Sequence, residues 1–289
     1  FQGHLFVNDR LLNESGMQNH PLTPMTDPDI RRWLAPQTKF SVGHVPAEMV
    51  FAGTAQIAQA LGQQHKAGHR LVVVDAIRDA DLIEIGKAAK ELRLVTGGSG
   101  VALGLPANFG CEAAKVAWTG QSGKSIVLSG SCSTATRAQV AYHAARQPAR
   151  EIDAVEVIEG RLTALDAVDW LLAQDGLPLV YSSADPEVVS RIQERYGREI
   201  ASKTLESFFA QVAKLAVERG VCRVVTAGGE TSGAVIEGLC LGTLEIGPEI
   251  DPGVPALRAG PDLVVALKSG NFGTEDFFEK ADRLLAGKK

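Results

Sequence analysis

From residue 51 onward, apolar positions in this chain alternate between two periods. Residues 55–65 carry helical spacing and are closed by Gly68. Leu71-Val72-Val73-Val74-Asp75-Ala76 is a β-branched run of the kind that fills a buried parallel strand. Residues 79–92 place Ile83, Ile85, Ala88 and Leu92 on one side and predict a helix. Leu94-Val95 predicts a short strand running into Thr96-Gly97-Gly98-Ser99-Gly100. Between Gly98 and Gly123 the periodicity fails, which predicts a domain boundary near residue 110 and hence domains over 1–110 and 111–289. The alternation then resumes. Strands are predicted over 125–128, 152–158, 178–182, 221–226, 244–246 and 263–268, and helices over 134–147, 162–174, 186–196, 205–219, 231–239 and 275–285. This grammar predicts an α/β fold of two domains, each with a mainly parallel sheet flanked by helices.

The first fifty residues differ. Val7-Asn8-Asp9-Arg10 reads as a hairpin turn between Leu5-Phe6 and Leu11-Leu12. A polar stretch over 13–29, rich in Pro, Met, His and Thr, follows it and has the character of a lid or a passing loop. No strand opens a βαβ unit, so the chain is expected to lack the start of its first domain. The apolar run at Leu71 to Val74 would then favour pairing with another copy, a homo-oligomer, or with the missing N-terminal piece.

Composition narrows the function classes. A chain of 289 residues with net charge -5 and scattered charge has no basic patch, which argues against a nucleic-acid surface. No apolar run approaches the roughly 18 residues of a membrane span. The start lacks the basic and apolar regions of a signal peptide, so a cytoplasmic location is expected. Cys111, Cys132, Cys222 and Cys240 lack CxxC spacing and read as reduced thiols, most of them buried; His65 and His69 read as a solvated helix end rather than a metal site. Thirty glycines beside 6% aromatics fit an α/β protein with tight turns around ligands.

Candidate chemistry gathers at three glycine loops, each after a predicted strand and before a helix, the edge where open α/β sheets bind ligands. Ser129-Gly130-Ser131-Cys132-Ser133-Thr134 reads equally as an anion site at a helix N-terminus or as a Ser/Thr cap. Ala227-Gly228-Gly229-Glu230-Thr231-Ser232-Gly233 lets the backbone approach a ligand; Glu230 either complements the helix dipole or orients a Mg²⁺-bound water. In Lys268-Ser269-Gly270-Asn271-Phe272-Gly273, Lys268 either pairs with phosphate or is solvated. None is a Walker loop or GxGxxG, but three such turns on one sheet edge make a nucleotide the economical ligand. The stretch 246–255, with Glu249 and Asp251, reads as a connection between strands or as the frame of an adenine or ribose.

At these residues the sequence resembles the four-carbon acid sugar kinases. The three loops match in the family's order, together with Pro252-Gly253-Val254-Pro255 and Leu94 to Gly100. Gly16-Met17 through His20-Pro21-Leu22-Thr23-Pro24-Met25-Thr26-Asp27 resembles the branch that acts on 3-oxo-tetronate. The resemblance implies an N-terminal domain for the sugar acid, a small-molecule partner, and a C-terminal domain for ATP. The implied activity is phosphorylation of the terminal hydroxyl, with Mg²⁺, of 3-oxo-tetronate or alternatively of D-threonate or D-erythronate. A nucleotide-binding module without turnover is the reading from another class. The resemblance also implies ATP contacts from Ser129, Gly228, Gly229, Glu230, Thr231 and Gly270, with Ser131, Asn271 and Gly273 beside them. The family's Asp-Asp-(Phe/Leu)-Thr-Gly stretch is absent, so no catalytic residue is assigned, and this chain is expected to bind ATP without phosphorylating an acid.

Overall fold

The structure is a computed structural model that describes residues 1–19, 23–112, 117–182, 191–192 and 194–288. It divides into two compact units, Phe1–Ala114 and Lys115–Lys289. Most of the helix predicted over 186–196, and residues 20–22 of the polar stretch, lie outside the described residues.

The first unit opens with a small antiparallel hairpin, β1 (Phe6–Val7) and β2 (Arg10–Leu11), turned by Asn8 at φ 57. Its one larger pairing among the described residues is parallel, β3 (Val42–Val45) with β4 (Leu71–Val74), in register from Val42 opposite Leu71 to Val45 opposite Val74. Helix α1 (Ile30–Leu34) is capped by Asp29. Helices α2 (Ala47–Phe51), α3 (Thr54–Lys66) and α4 (Asp79–Ala88) supply Val50, Ile57 and Ile85, which pack with Val45. Leu94-Val95 is not a strand: Leu94 is exposed, α4 ends at Ala88, and the glycines that follow lead into a 3₁₀ turn over Ser99–Gly104. That turn lies so close to α4 that a Cβ on Gly86 would collide with the backbone of Gly104.

Asp75, buried just past β4, gathers this unit. Its carboxylate accepts from Gln2 N at 2.6 Å, Gly3 N at 2.8 Å, Ala47 N at 3.0 Å and His44 Nε2 at 3.0 Å. Burial pushes this carboxyl up, but the His44 ring and the Gly3 and Gln2 N–H groups outweigh it and leave the group below its ordinary value.

The second unit is a seven-stranded sheet: β5 (Lys124–Ser129), β6 (Ala149–Glu151), β7 (Leu179–Tyr181), β8 (Val221–Ala227), β9 (Glu245–Asp251), β10 (Val254–Arg258) and β11 (Val264–Lys268). The order is β6-β7-β5-β8-β11-β10-β9; the first five are parallel and the last two form an antiparallel edge. Both faces are covered, so the central strands carry apolar residues in unbroken runs that still sort by alternation. Ile126, Leu128, Val224 and Val265 face α7 (Ala164–Ala173), α8 (Arg198–Glu218) and α9 (Gly229–Gly238). Val127, Val225, Val264 and Ala266 face α5 (Thr134–Ala144) and α10 (Phe277–Leu285), where Phe277, Phe278 and Leu285 are fully buried.

Two segments of this unit differ from their sequence reading. Residues 152–158 are not a strand. Asp153 caps a helix, α6 (Ala154–Ile158), and Ala154 and Val157 are buried at helical spacing. The β-branched run there imitates a strand, while β6 itself lies just upstream. The stretch 246–255 is not a plain connection: it forms most of the β9–β10 hairpin. All four cysteines are reduced, but none is buried; Cys111 and Cys240 are exposed and the other two half-buried.

Candidate nucleotide site

The central strands β5, β8 and β11 are neighbours and parallel, so their C-terminal ends deliver the three glycine loops side by side. The loops are also tied to one another. Gly130 N donates to Ala227 O at 3.1 Å, and Gly228 N donates to Lys268 O at 2.8 Å. The hydroxyls of Ser133 and Thr136 both donate to Gly270 O, the latter at 2.8 Å. The packing leaves no room for side chains at the junctions: a Cβ on Gly270 would come within 2.6 Å of Ser131 Oγ. Gly228 sits at φ +119, a conformation open to glycine, and turns the chain from β8 into α9.

Two helices begin at this cradle. Ser133 caps α5, accepting from Thr136 N at 3.2 Å, so one of the loop hydroxyls serves as the cap. The start of α9 has no side-chain cap, and its first N–H groups have no partner within the helix. Gly229 and Glu230 are exposed there, and a Cβ on Gly229 would meet no atom within 4 Å. This end therefore offers backbone donors and the positive end of a helix dipole to an anion.

The nine residues named from sequence fall into two layers of this one place. Gly229, Glu230 and Asn271 are exposed, and Ser131, Gly270 and Gly273 half-buried; they line the open side. Ser129, Gly228 and Thr231 are buried beneath them. A groove of about 620 Å³ adjoins the cradle between the first turns of α5 and the third loop, lined by Thr134, Ala138, Tyr142, Gly273 and Asp276 among others. That size suits a nucleoside.

The third loop is held by Gln139, which the sequence did not single out, and by Asp251 and Lys268, which it did. Buried Gln139 points Nε2 at three carbonyl oxygens, those of Phe272, Gly273 and Thr274, each at 3.0 Å. Asp251 accepts from Thr274 N at 2.9 Å and from Lys280 at 3.2 Å, while Glu249 accepts from Gly253 N at 2.6 Å, so both carboxylates are braces of the framework. Lys268 is not solvated. It is fully buried, and its Nζ donates to Thr136 Oγ1 at 2.9 Å, Ser269 O at 3.0 Å and Gly270 O at 3.2 Å. Burial lowers its amine to about 8. The signal for this layer was present: Thr136, Gln139 and His143 recur at helical spacing on the face of α5 that also carries buried Val140.

Comparison with known proteins matches the same two halves. Residues 1–105 fit the model of a sugar-binding N-terminal domain, and residues 126–278 that of a nucleotide-binding C-terminal domain. The chain is 42% identical to the 3-oxo-tetronate kinase of Brucella melitensis, over 98% of this chain and 67% of that protein. It is 43% identical to the 3-oxo-tetronate kinase of Pseudomonas fluorescens, over 99% of this chain and 69% of that protein. A crystal structure from Salmonella typhimurium LT2, described as a candidate tRNA synthase, superposes with a TM-score of 0.75 at 38% identity, covering 98% of this chain and 69% of that one. A Haemophilus influenzae protein gives a TM-score of 0.64 at 38% identity, covering 99% and 70%. With both domains matched in order and curated kinases alike along nearly its whole length, the chain belongs to the four-carbon acid sugar kinase family.

Proposed function

We propose that the protein transfers the γ-phosphoryl group of ATP to the terminal hydroxyl of 3-oxo-tetronate, giving 3-oxo-tetronate 4-phosphate. The observation that carries this reading is the joining of three glycine loops into one cradle, in a chain 42–43% identical to two 3-oxo-tetronate kinases. The exposed N–H groups of Gly229 and Glu230 would take phosphate oxygens. Ser131, Gly270, Asn271 and Gly273 would border them, with Ser129, Gly228 and Thr231 shaping the turn from beneath. The groove beside α5 would seat the nucleoside. Such a site works by positioning and by neutralising charge, since phosphoryl transfer asks little covalent chemistry of the protein.

Mg²⁺ fits as an ion carried by the nucleotide. Among the described residues, no three His, Cys, Asp or Glu side chains come together, and Mg²⁺ is content with phosphate, water and one carboxylate. Glu230, exposed at the cradle, would orient its water shell; the ion when bound would neutralise charge on the transferred group. The acid is a small-molecule partner, and the use of ATP puts the reaction in the cytoplasm. No helix among the described residues is long and apolar enough to cross a membrane.

The test is ADP release by the intact protein with 3-oxo-tetronate, D-threonate and D-erythronate. Turnover highest with 3-oxo-tetronate is expected. Turnover confined to D-threonate or D-erythronate would move the protein to another branch. ATP binding with no turnover on any acid would leave a nucleotide-binding module.

A further inference from the structure

Lys268 presents a problem in charge. All three of its donors are spent on neutral oxygens, those of Thr136, Ser269 and Gly270, and among the described residues no carboxylate pairs with it. Its nearest aromatic ring, Phe277 on α10, has its centroid 5.9 Å from Nζ. The titratable groups on the surrounding elements have other places or partners. His143 of α5 meets Glu279 of α10; Lys280 of α10 meets Asp251 and Asp276; Arg223 of β8 meets Asp282. Cys132 is half-buried in the first loop, and Glu230 lies exposed at the start of α9. A buried ammonium without a counter-charge is costly, and evolution of a plain strand end would place an apolar residue here. What this ammonium holds is Gly270 O, the same oxygen that Ser133 and Thr136 hold, in the loop that closes the cradle.

We propose that Lys268 is a positioning residue of the nucleotide site whose buried charge is answered by the polyphosphate itself, so that nucleotide binding and protonation of this amine are linked. The inference rests on the nucleotide reading above and adds to it. Lys268 does not reach the ligand with a free donor. It fixes Gly270 and places a positive charge behind the loop, where a di- or triphosphate on the open side interacts with it through a medium of low dielectric. The bound anion then favours the charged form of the amine. By linkage, binding takes up a proton wherever the free protein has begun to lose it, from about pH 8 upward, and nucleotide affinity falls as pH rises through that range.

The experiment follows the Lys268 side-chain carbon resonance of the 289-residue chain through a pH titration, with and without ADP, and measures ADP affinity by calorimetry at each pH. The expected result is a titration midpoint near 8 that ADP moves upward. Each unit of movement corresponds to a fall of about tenfold in ADP affinity from the protonated to the neutral protein. Lys268→Met should bind ADP more weakly at pH 7 and lose this pH dependence. ADP binding with an unmoved midpoint would overturn the proposal and leave the nucleotide reading standing. Failure of ADP to bind the parent chain at any pH would overturn the nucleotide reading and this proposal with it. The titration of the parent chain needs no variant, so it decides the matter even if Lys268→Met does not fold.

Discussion

Gly228 and Gly229 stand side by side and serve different ends. Gly228 is buried at φ +119 with its N–H given to Lys268 O, so a side chain there strains the turn itself. Gly229 is exposed and faces open space on the side where phosphate would lie. Gly229→Val should therefore keep its melting temperature and lose about tenfold or more in ADP affinity, roughly 1.4 kcal/mol. Gly228→Val should lose about 1–3 kcal/mol of stability. Thermal melts beside calorimetry separate the two, and a Gly229→Val protein with undiminished affinity would remove this turn from the site. The sequence shows two glycines and not their difference, because φ and burial are set by the strands on either side. Lys268 teaches the same lesson: its type and its place after an apolar strand are readable, but its burial depends on α5 and α10 closing over it from distant positions.

Elements with a strong period of their own were legible. The runs that became β5, β8 and β11 are continuous and β-branched, and the loops after them could be found by eye. Elements whose identity depends on a partner were not. Strand β10 begins Val254-Pro255, and the proline reads as a breaker. It is tolerated because the pairing with β11 starts only at Ala256 and the register with β9 shifts at Pro255. Strand β3 carries Gly43 and His44, which hide its period, and α6 owes its shape to the Asp153 cap. Helix α5 is predicted from sequence only as a helix, and its buried polar stripe is what grips the third loop and α10. His143 Nδ1 meets Glu279 Oε1 and its Nε2 meets Leu177 O, both at 2.8 Å. Gln139→Leu should cost about 1–3 kcal/mol, because three carbonyls of the third loop lose a buried donor. Hydrogen exchange at residues 272–274 should rise with it; unchanged exchange there would mean that the loop is held by its other partners, Asp251 among them.

Across the whole molecule, the two units should both gain stability as pH rises, but in different ranges. Asp75 has a folded value below its ordinary one, so its contribution is present above about 3.8 and is lost as pH falls through the folded value. Lys268 has a folded value of about 8 against 10.5, so the unfolded chain binds more protons between these limits, and this group's cost fades as pH rises across them. Exchange-mass spectrometry should show residues 1–112 loosening first in acid. Asp75→Asn should flatten that acid response while weakening the unit at pH 7 by about 1–3 kcal/mol, since an amide turns N–H toward backbone N–H. An acid response equal in both units would sink the assignment. The outer strand β9 has a consequence of another kind. A last strand presents a free ladder of N–H and C=O groups to any chain that drifts past, and two copies meeting there would extend one sheet into the next. Here Pro248 interrupts the ladder, Glu245 and Glu249 set carboxylates along it, and Ile246 stands exposed between them. With Glu245→Thr and Pro248→Thr the guard is gone, and solutions that stay clear for the parent should grow turbid with strand-rich polymers; equal clarity would place the guard elsewhere. The chemistry of the cradle thus depends on the outer edge of a strand that carries none of its three loops, because enzyme drawn into fibres offers no loops to a nucleotide.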